Sequence, residues 1–188
     1  MKKVVVALLL VAVLLSMTSC GLAVDLLATI GLSAVNGIAP DYKAAECEFE
    51  FADISFTLTE AFGEVDAGEI ATYTSYALTQ VMVERIERTG LFGYNSSEEL
   101  AEEHKEMLSM GLYEISFGDI IKDGDVTYFT YTISNGGSSV TTFFSFYVNE
   151  YAAYIFSFLA SADSYETYEP YFIKWATSVK TISSGSQI

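Results

Sequence analysis

Apolar residues occupy every second position over long stretches of the chain, which is the period of a half-buried β-strand. Just after Cys47 this alternation predicts two short strands, and 72–87 is a longer run that predicts one long strand. The apolar positions of the two short strands are Phe49 and Phe51, then Ile54, Phe56 and Leu58. From Cys47 onward the chain is therefore predicted to begin as β structure.

The period changes after residue 95, where apolar residues recur at helical spacing. Ser96 is the predicted N-cap, and Glu99, three residues later, completes a capping box. Gly111 is placed to end the helix. The apolar stripe is predicted to consist of Leu100, Met107 and Leu108 with His104 between them, and the face toward water of Glu98, Glu102, Glu103 and Glu106.

Four β-runs and a second helix follow. The runs are 112–121, 126–134, 140–149 and 151–161, and the Asp-Gly and Asn-Gly turns between them predict an antiparallel meander. The helix is predicted over roughly 165–179, with regular geometry only from Glu169 because Pro170 fits best in a first turn. Its apolar stripe is Tyr165, Tyr168, Phe172, Trp175 and Val179. Thr181 and Ile182 are expected to add a short strand before the polar tail 183–188. This pattern predicts an α+β domain, mainly an antiparallel sheet with helices packed on it.

The N-terminus has the pattern of a secretory leader. Lys2 and Lys3 precede an uninterrupted apolar run, 4–15, and small polar residues follow it. Met17-Thr18-Ser19-Cys20 resembles the bacterial lipobox, in which the cysteine after the cleavage site receives a diacylglycerol. We therefore expect a signal peptide over 1–19 and a membrane anchor through lipid on Cys20. The alternatives are an ordinary cleaved signal with a chance cysteine, or an uncleaved anchor.

Residues 20–46 form the predicted lipidated N-terminus and tether. Residues 21–39 are unusually apolar for a tether, but Asp25 and Asn36 argue against a second membrane span. A short amphipathic helix on the membrane or on the domain is the expected form. The folded domain is predicted over 47–182.

Charge restricts the classes of partner. The chain carries −16 at pH 7, and Lys2 and Lys3 are two of its nine bases. Residues 20–188 thus hold seven bases against 25 acids, a balance of −18. Such a field repels nucleic acid phosphates, so no nucleic acid partner is expected. Solubility accounts for the acidity, and a cation site or a basic partner is the alternative.

No constellation in the sequence specifies a reaction. His104 is the only histidine, and its place between Leu100 and Leu108 indicates a structural residue. Cys47 is expected to pack as a small hydrophobe. The glutamates of the first helix lack calcium-loop spacing, and Asp123-Gly124-Asp125 indicates a hairpin turn. We therefore predict no catalytic residue, no metal ligand and no cofactor, and Cys20 is the one modified residue predicted.

Aromatic residues crowd the meander. Because neighbours along a strand point to opposite faces, they form either a two-sided core or, on one face, an open groove for a partner. The set comprises Phe143, Phe144, Phe146, Tyr147, Tyr151, Tyr154, Phe156 and Phe158. A protein or small-ligand partner at this aromatic sheet face is one expectation.

The order of elements resembles the PsbP-like fold, which many small lipoproteins of Gram-positive bacteria share. Two stretches carry the resemblance: the opening strand pair up to Phe62, and the aromatic meander with its closing helix up to Ile182. The resemblance covers roughly 47–182. It implies a PsbP-like fold in a lipid-anchored protein, and no metal-binding or partner-binding residue of the family has a matching motif here.

These patterns together predict a non-catalytic binding or assembly module, lipid-anchored on the extracytoplasmic face of the cell membrane of a Gram-positive bacterium. A small-solute or cation-binding lipoprotein is the first alternative. A hydrolase using acidic residues is the second.

Overall fold

The described residues form two antiparallel sheets, two α-helices and a short 3-10 helix (Asp41–Lys43). The structure is a computed structural model, and it describes residues 41–66, 70–75, 79–87, 94–110, 114–135, 138–160 and 164–182. The predicted leader, Cys20, the apolar stretch 21–39 and the tail 183–188 lie outside these residues.

The smaller sheet has three strands in the order β1-β2-β11, all antiparallel. Its strands are β1 (Glu46–Phe51), β2 (Ile54–Thr59) and β11 (Lys180–Thr181). The two opening strands and the short closing strand are thereby confirmed. β2 is more deeply buried than the alternation predicted, because it is the central strand and also packs on the closing helix.

The larger sheet has eight strands, with β3-β4-β5-β10-β9-β8-β6 in order and β7 paired to β8. The strands are β3 (Phe62–Asp66), β4 (Ile70–Ser75), β5 (Gln80–Glu87), β6 (Glu114–Phe117), β7 (Ile121–Asp123), β8 (Val126–Asn135), β9 (Ser138–Val148) and β10 (Ala152–Leu159). Every pairing is antiparallel. The predicted fold class is confirmed.

Two strand predictions in this sheet are wrong. The run 72–87 is a hairpin, because the Ser75 amide donates to the Thr79 carbonyl at 3.0 Å and the chain reverses there. The run 112–121 is split into β6 and β7 at Gly118. Gly118 lies close to β8: its amide donates to the Thr130 carbonyl at 2.8 Å, and a Cβ at this position would lie 2.6 Å from the Thr130 hydroxyl.

Helix α1 (Ser97–Ser109) begins as its capping sequence predicts. The Ser96 hydroxyl accepts from the Glu99 amide at 3.1 Å. The Glu99 carboxylate reaches back to the Asn95 amide at 2.8 Å, one residue before the N-cap. Leu100 is buried and Leu108 half-buried, but Met107 is 58% exposed, so its place in the apolar stripe was wrong.

Helix α2 (Tyr165–Ala176) begins four residues earlier than Pro170 suggested. Proline lacks the N–H that would bond to the Glu166 carbonyl, which costs the helix one hydrogen bond. Burial of Tyr165 and Tyr168 holds the first turn in place nevertheless. The whole predicted stripe of α2 is buried, as expected: Tyr165, Tyr168, Phe172, Trp175 and Val179. In the described part of the chain, no helix is both long and apolar enough to cross a bilayer.

The large sheet has a core on each face. One core joins it to the small sheet and α2, and includes Phe143, Tyr147, Tyr154, Phe156 and Phe158. The other joins it to α1, and includes Phe129, Phe144, Phe146, Ala153 and Ile155. Of the eight aromatics predicted to form a core or a groove, seven are buried and Tyr151 is 45% exposed. The two-sided core is therefore the arrangement that these seven residues adopt.

Candidate functional site

His104 is half-buried and packs on aromatic rings of the α1 core. Its ring is 4.7 Å from that of Phe144 and 5.4 Å from that of Phe146, measured between centroids. Burial lowers the pKa of its imidazole to about 4. Nε2 is buried and finds no hydrogen-bond partner among the described residues. His104 is thus a neutral packing residue, which agrees with the structural role that the sequence indicated.

The acidic face of α1 is an open surface. A depression of about 590 Å³ runs along it, lined by Glu99, Glu102, Glu103, Glu106, Met107 and Met110. In the part of the chain that the structure describes, no three histidine, cysteine or acidic side chains are grouped to hold a metal ion. Glu102, Glu103 and Glu106 are exposed along the helix, Glu98 pairs with Lys122, and Glu99 caps the helix start.

The two other candidates are Cys47 and the Asp123-Gly124-Asp125 turn. Cys47 is half-buried, and burial, helped by the charge of Glu60, raises the pKa of its thiol. Asp123 and Asp125 are exposed on either side of Gly124, whose φ of +62° is the left-handed conformation that this turn needs. Neither place gathers a reactive set of groups.

The convergent polar groups lie elsewhere, where the β1–β2 turn meets the ends of β5 and β10. Asp53, in the turn, accepts a short hydrogen bond from the Tyr154 hydroxyl. Arg85 Nε lies 3.5 Å from the same carboxylate, and the two side chains are 21% and 12% exposed for Arg85 and Asp53. This centre and the residues bonded to it are called here the Asp53 cluster: Asp53, Arg85, Tyr147, Asn149, Tyr154 and Thr181.

The cluster also ties the closing strand to the sheet. Asn149 Nδ2 donates to the second Asp53 oxygen at 2.6 Å and lies 3.2 Å from the Thr181 hydroxyl. The Tyr147 hydroxyl is 2.8 Å from the same threonine oxygen. The Ile182 amide donates to the Asp53 carbonyl at 2.9 Å. Side chains of the large sheet and its β9–β10 turn thus meet on the carboxylate of the small sheet's turn, and the end of β11 is bonded to the backbone of the same residue.

The polar groups of the Asp53 cluster bond to one another and so hold the fold together. Burial, and then the hydrogen bond to Asp53, raises the pKa of the Tyr154 hydroxyl, so that it stays a donor at all ordinary pH values. Both Asp53 oxygens accept hydrogen bonds, and Arg85 balances the charge. A carboxylate engaged in this way is poorly suited to abstract a proton from a substrate.

The backbone beside Asp53 is strained. Phe51 pairs with Ile54, so Ala52 and Asp53 are the two central residues of a tight hairpin. Ala52 has a φ of +55° and is the only non-glycine residue with positive φ in the described ranges. A positive φ at the first central position is the pattern of a turn that favours glycine there. The strain is retained where Asp53 must point toward Arg85 and Tyr154, which marks the turn as a functional candidate.

Replacing Ala52 by glycine tests this strain. We expect Ala52→Gly to raise the free energy of unfolding by about 0.5–1 kcal/mol, because glycine removes the left-handed penalty of an L-residue. Urea denaturation of the purified domain measures it. Ala45→Gly is the matched control at another exposed alanine, and it should lower stability. A loss of stability in both variants would contradict the assignment of strain to Ala52.

The rim of the cluster is exposed. Tyr151, in the β9–β10 turn, is 45% exposed; the exposed Glu150 precedes it, and the exposed Glu87 pairs with the next residue, Ala152. Asn149 fixes this turn, since its side-chain oxygen accepts from the amides of Tyr151 and Ala152 at 2.8 and 2.9 Å. An ordered, exposed tyrosine on a rigid turn is typical of protein contact surfaces.

Comparison with known proteins places the fold. The structure is similar to the solution structure of cyanobacterial PsbP (CyanoP) from Synechocystis, with a TM-score of 0.55 and 13% sequence identity. The match covers 80% of this chain and 98% of that one. A protein of unknown function from Pseudomonas aeruginosa aligns with a TM-score of 0.43 at 9% identity, over 69% of this chain and 92% of its own.

No family model matches the sequence, and no curated protein matches it either. The structural similarity to CyanoP shows that the domain has a PsbP-like fold. At 13% sequence identity the likeness extends to the fold alone.

Proposed function

We propose that this chain is an exported lipoprotein, anchored through lipid on Cys20, whose PsbP-like domain acts as a non-catalytic binding or assembly module on the extracytoplasmic face of the cell membrane. The observation that carries the proposal is the leader: two lysines, an apolar run and Met17-Thr18-Ser19-Cys20. Membership of the small lipoproteins of Gram-positive bacteria belongs to the same proposal.

The state of the polar groups supports a binding role over a catalytic one. Two groups that a catalytic site could use are occupied in the fold: His104 packs among aromatic rings, and the Asp53 carboxylate accepts internal hydrogen bonds. The surface proposed for the partner is the rim of the Asp53 cluster. Tyr151 is the member of the predicted aromatic set that is exposed to such a partner.

Acylation tests the anchor directly. In cells fed an alkyne-tagged fatty acid, we expect the full chain to be labelled and recovered in the membrane fraction. Cys20→Ser should abolish the labelling, because the thiol is the attachment point of the diacylglycerol. Cys47→Ser is the matched control, since it removes the only other cysteine and should leave labelling unchanged.

Two results would contradict the anchor. Labelling that persists in Cys20→Ser but disappears in Cys47→Ser would move the lipid to the domain. Secretion of an unlabelled chain into the medium would make the leader an ordinary cleaved signal.

A thermal-shift panel separates the binding module from its alternatives. A ligand that binds only the native state raises Tm by mass action. The Tm of the protein is measured with cations, glycans and peptides added in turn. Because the expected partner is a protein, we expect no shift with cations or small solutes, and a clear shift with a cation would favour the solute-binding alternative.

A further inference from the structure

The outer face of α1 carries two apolar side chains that the described residues leave open to solvent. Met107 and Met110 are 58% and 74% exposed, whereas the inner face of the helix packs on the large sheet. In the described ranges, the other exposed large apolar side chains are Ile121 and Tyr151. Methionine side chains are flexible and polarisable, so an exposed pair can adapt to the apolar surface of a partner. The outer face as a whole consists of six exposed residues: Glu99, Glu102, Glu103, Glu106, Met107 and Met110.

These six positions form one continuous strip along the helix. At about 100° per residue they fall within an arc of about 140° of its circumference. They border the depression of about 590 Å³. Glu102 and Glu106 stand four residues apart, where like charges repel each other. The last turn of α1 contains no basic residue, although the helix dipole favours a cation there. The helix therefore concentrates negative charge at the end where a cation would be favoured.

The lysines of α1 and β7 are engaged away from the outer face. Lys105, the only lysine of α1, donates to the Gly118 carbonyl at 3.0 Å and lies 5.4 Å from the ring centroid of Phe117. Lys122 pairs with Glu98, which lies outside the strip. Among the described residues, no lysine or arginine forms an ion pair with the four glutamates of the strip. The hydrogen bonds that two of these glutamates accept come from neutral tyrosine and asparagine groups. Their charge is therefore available to a cation from a partner.

The small sheet presents another acidic surface, and it differs from the outer face of α1. Its Glu46 and Glu48 pair with Lys174 and Lys180, while two further glutamates are exposed. No large apolar side chain on its described strands is exposed. The small sheet thus has partly neutralised charge and no open apolar contact, whereas the outer face of α1 has unpaired carboxylates beside open methionines.

The charge of the strip decides which partner fits it. A second copy of the chain, with seven bases against 25 acids from residue 20 onward, is repelled. Anionic lipids and nucleic acids are repelled for the same reason. A basic amphipathic helix would place its lysines or arginines against the glutamates and its apolar side chains against the methionines.

We propose that the outer face of α1 docks a basic amphipathic helical segment of a partner protein. The proposal goes beyond the function proposed above, because it requires neither the lipid on Cys20 nor the rim of the Asp53 cluster.

Two fluorescein-labelled peptides of about 12 residues, the length of the strip, test the proposal. Both consist of leucine and lysine in the same amounts. One has its leucines at helical spacing, and the other has a scrambled order that forms no apolar face. Binding to the purified full-length protein is measured by fluorescence anisotropy in a non-ionic detergent, with micelles alone as the blank. We expect the amphipathic peptide to bind more tightly than the scrambled one by roughly tenfold or more.

Charge-matched variants locate the binding surface. Glu102→Gln combined with Glu106→Gln should raise the Kd of the amphipathic peptide by about tenfold, because it removes two partners of the incoming cations. Glu50→Gln combined with Glu166→Gln is the matched control. It removes the same amount of charge at exposed positions on the small sheet and α2, and should leave the Kd nearly unchanged.

A methionine variant tests the apolar part of the strip. Met107→Gln combined with Met110→Gln keeps the side-chain length and the helix propensity. It should raise the Kd by about tenfold, because the peptide loses two apolar contacts. Trp175 fluorescence shows that each variant is folded.

The outcomes decide the proposal without touching the lipid anchor, which acylation tests separately. No binding of the amphipathic peptide, equal binding of the two peptides, or equal losses in the two charge variants would each overturn it. Sedimentation of the free protein identifies the remaining occupant. Self-association that the methionine variant abolishes, together with no peptide binding, would assign the face to a second copy of the chain.

Discussion

Asp53→Ala should lower the free energy of unfolding by about 3 kcal/mol, because it leaves the Tyr154 hydroxyl without its acceptor and removes the carboxylate that faces the largely buried Arg85 guanidinium, which keeps its pair with Glu87. Asp53 accepts from Tyr154 and Asn149 and pairs with Arg85. Both sheets depend on this one side chain, so we also expect the β11 strand to lose order. Urea denaturation gives the stability, and hydrogen exchange of the Ile182 amide, which donates to the Asp53 carbonyl, gives the local effect.

Asp125→Ala is the matched control, because it removes an exposed aspartate from another tight turn. It should change stability little. Tyr154→Phe should cost less than Asp53→Ala, since it removes one donor and leaves the ion pair. Equal small effects of Asp53→Ala and Asp125→Ala would contradict the role of the Asp53 cluster as the joint between the two sheets.

Acidification should weaken the domain through His104. Burial among aromatic rings lowers the pKa of its imidazole from an ordinary 6.5 to about 4. Between these two pH values the unfolded chain binds a proton that the folded domain does not. The free energy of unfolding therefore falls as the pH drops from 6.5 to 4, by about 3 kcal/mol in total, and this contribution is constant outside that window.

Comparison with His104→Leu isolates this effect. The paired carboxylates, such as Glu48 and Glu98, whose pKa values are lowered by bonds to lysines, titrate in both proteins. The difference in stability between the two proteins should therefore widen as the pH drops from 7 to 4.5, measured by urea denaturation. At pH 7 the leucine variant should be at least as stable, because Nε2 has no partner among the described residues. Parallel pH profiles would contradict the burial of a neutral imidazole.

The sequence predicted those elements whose signal is local. The cap at Ser96, the Asp-Gly turn at Gly124 and the stripe of α2 each depend on residues close together in the chain. The errors arose where a distant contact decided the outcome. The hairpin after Ser75 lacks a glycine or proline signal, and helical spacing alone did not indicate that Met107 is exposed. The start of α2 before Pro170 is decided by burial of Tyr165.

The candidate site could not be predicted for the same reason. The site is formed by the Asp53 carboxylate, the Arg85 guanidinium and the Tyr154 hydroxyl, which are far apart in the sequence. None of the three stands in a local motif that indicates a site. One signal was present: the two-residue turn 52–53 between well-patterned strands lacks the glycine that such turns prefer. Strain without glycine indicates that the turn is held by contacts made elsewhere in the fold.

The most direct test of the central claim is the intact mass of the protein purified from membranes of its own host or of a related bacterium. The proposal predicts a chain that begins at Cys20 and carries the added mass of a diacylglycerol, with or without a further acyl group. A mass equal to the unmodified chain from any start point would contradict the lipid anchor.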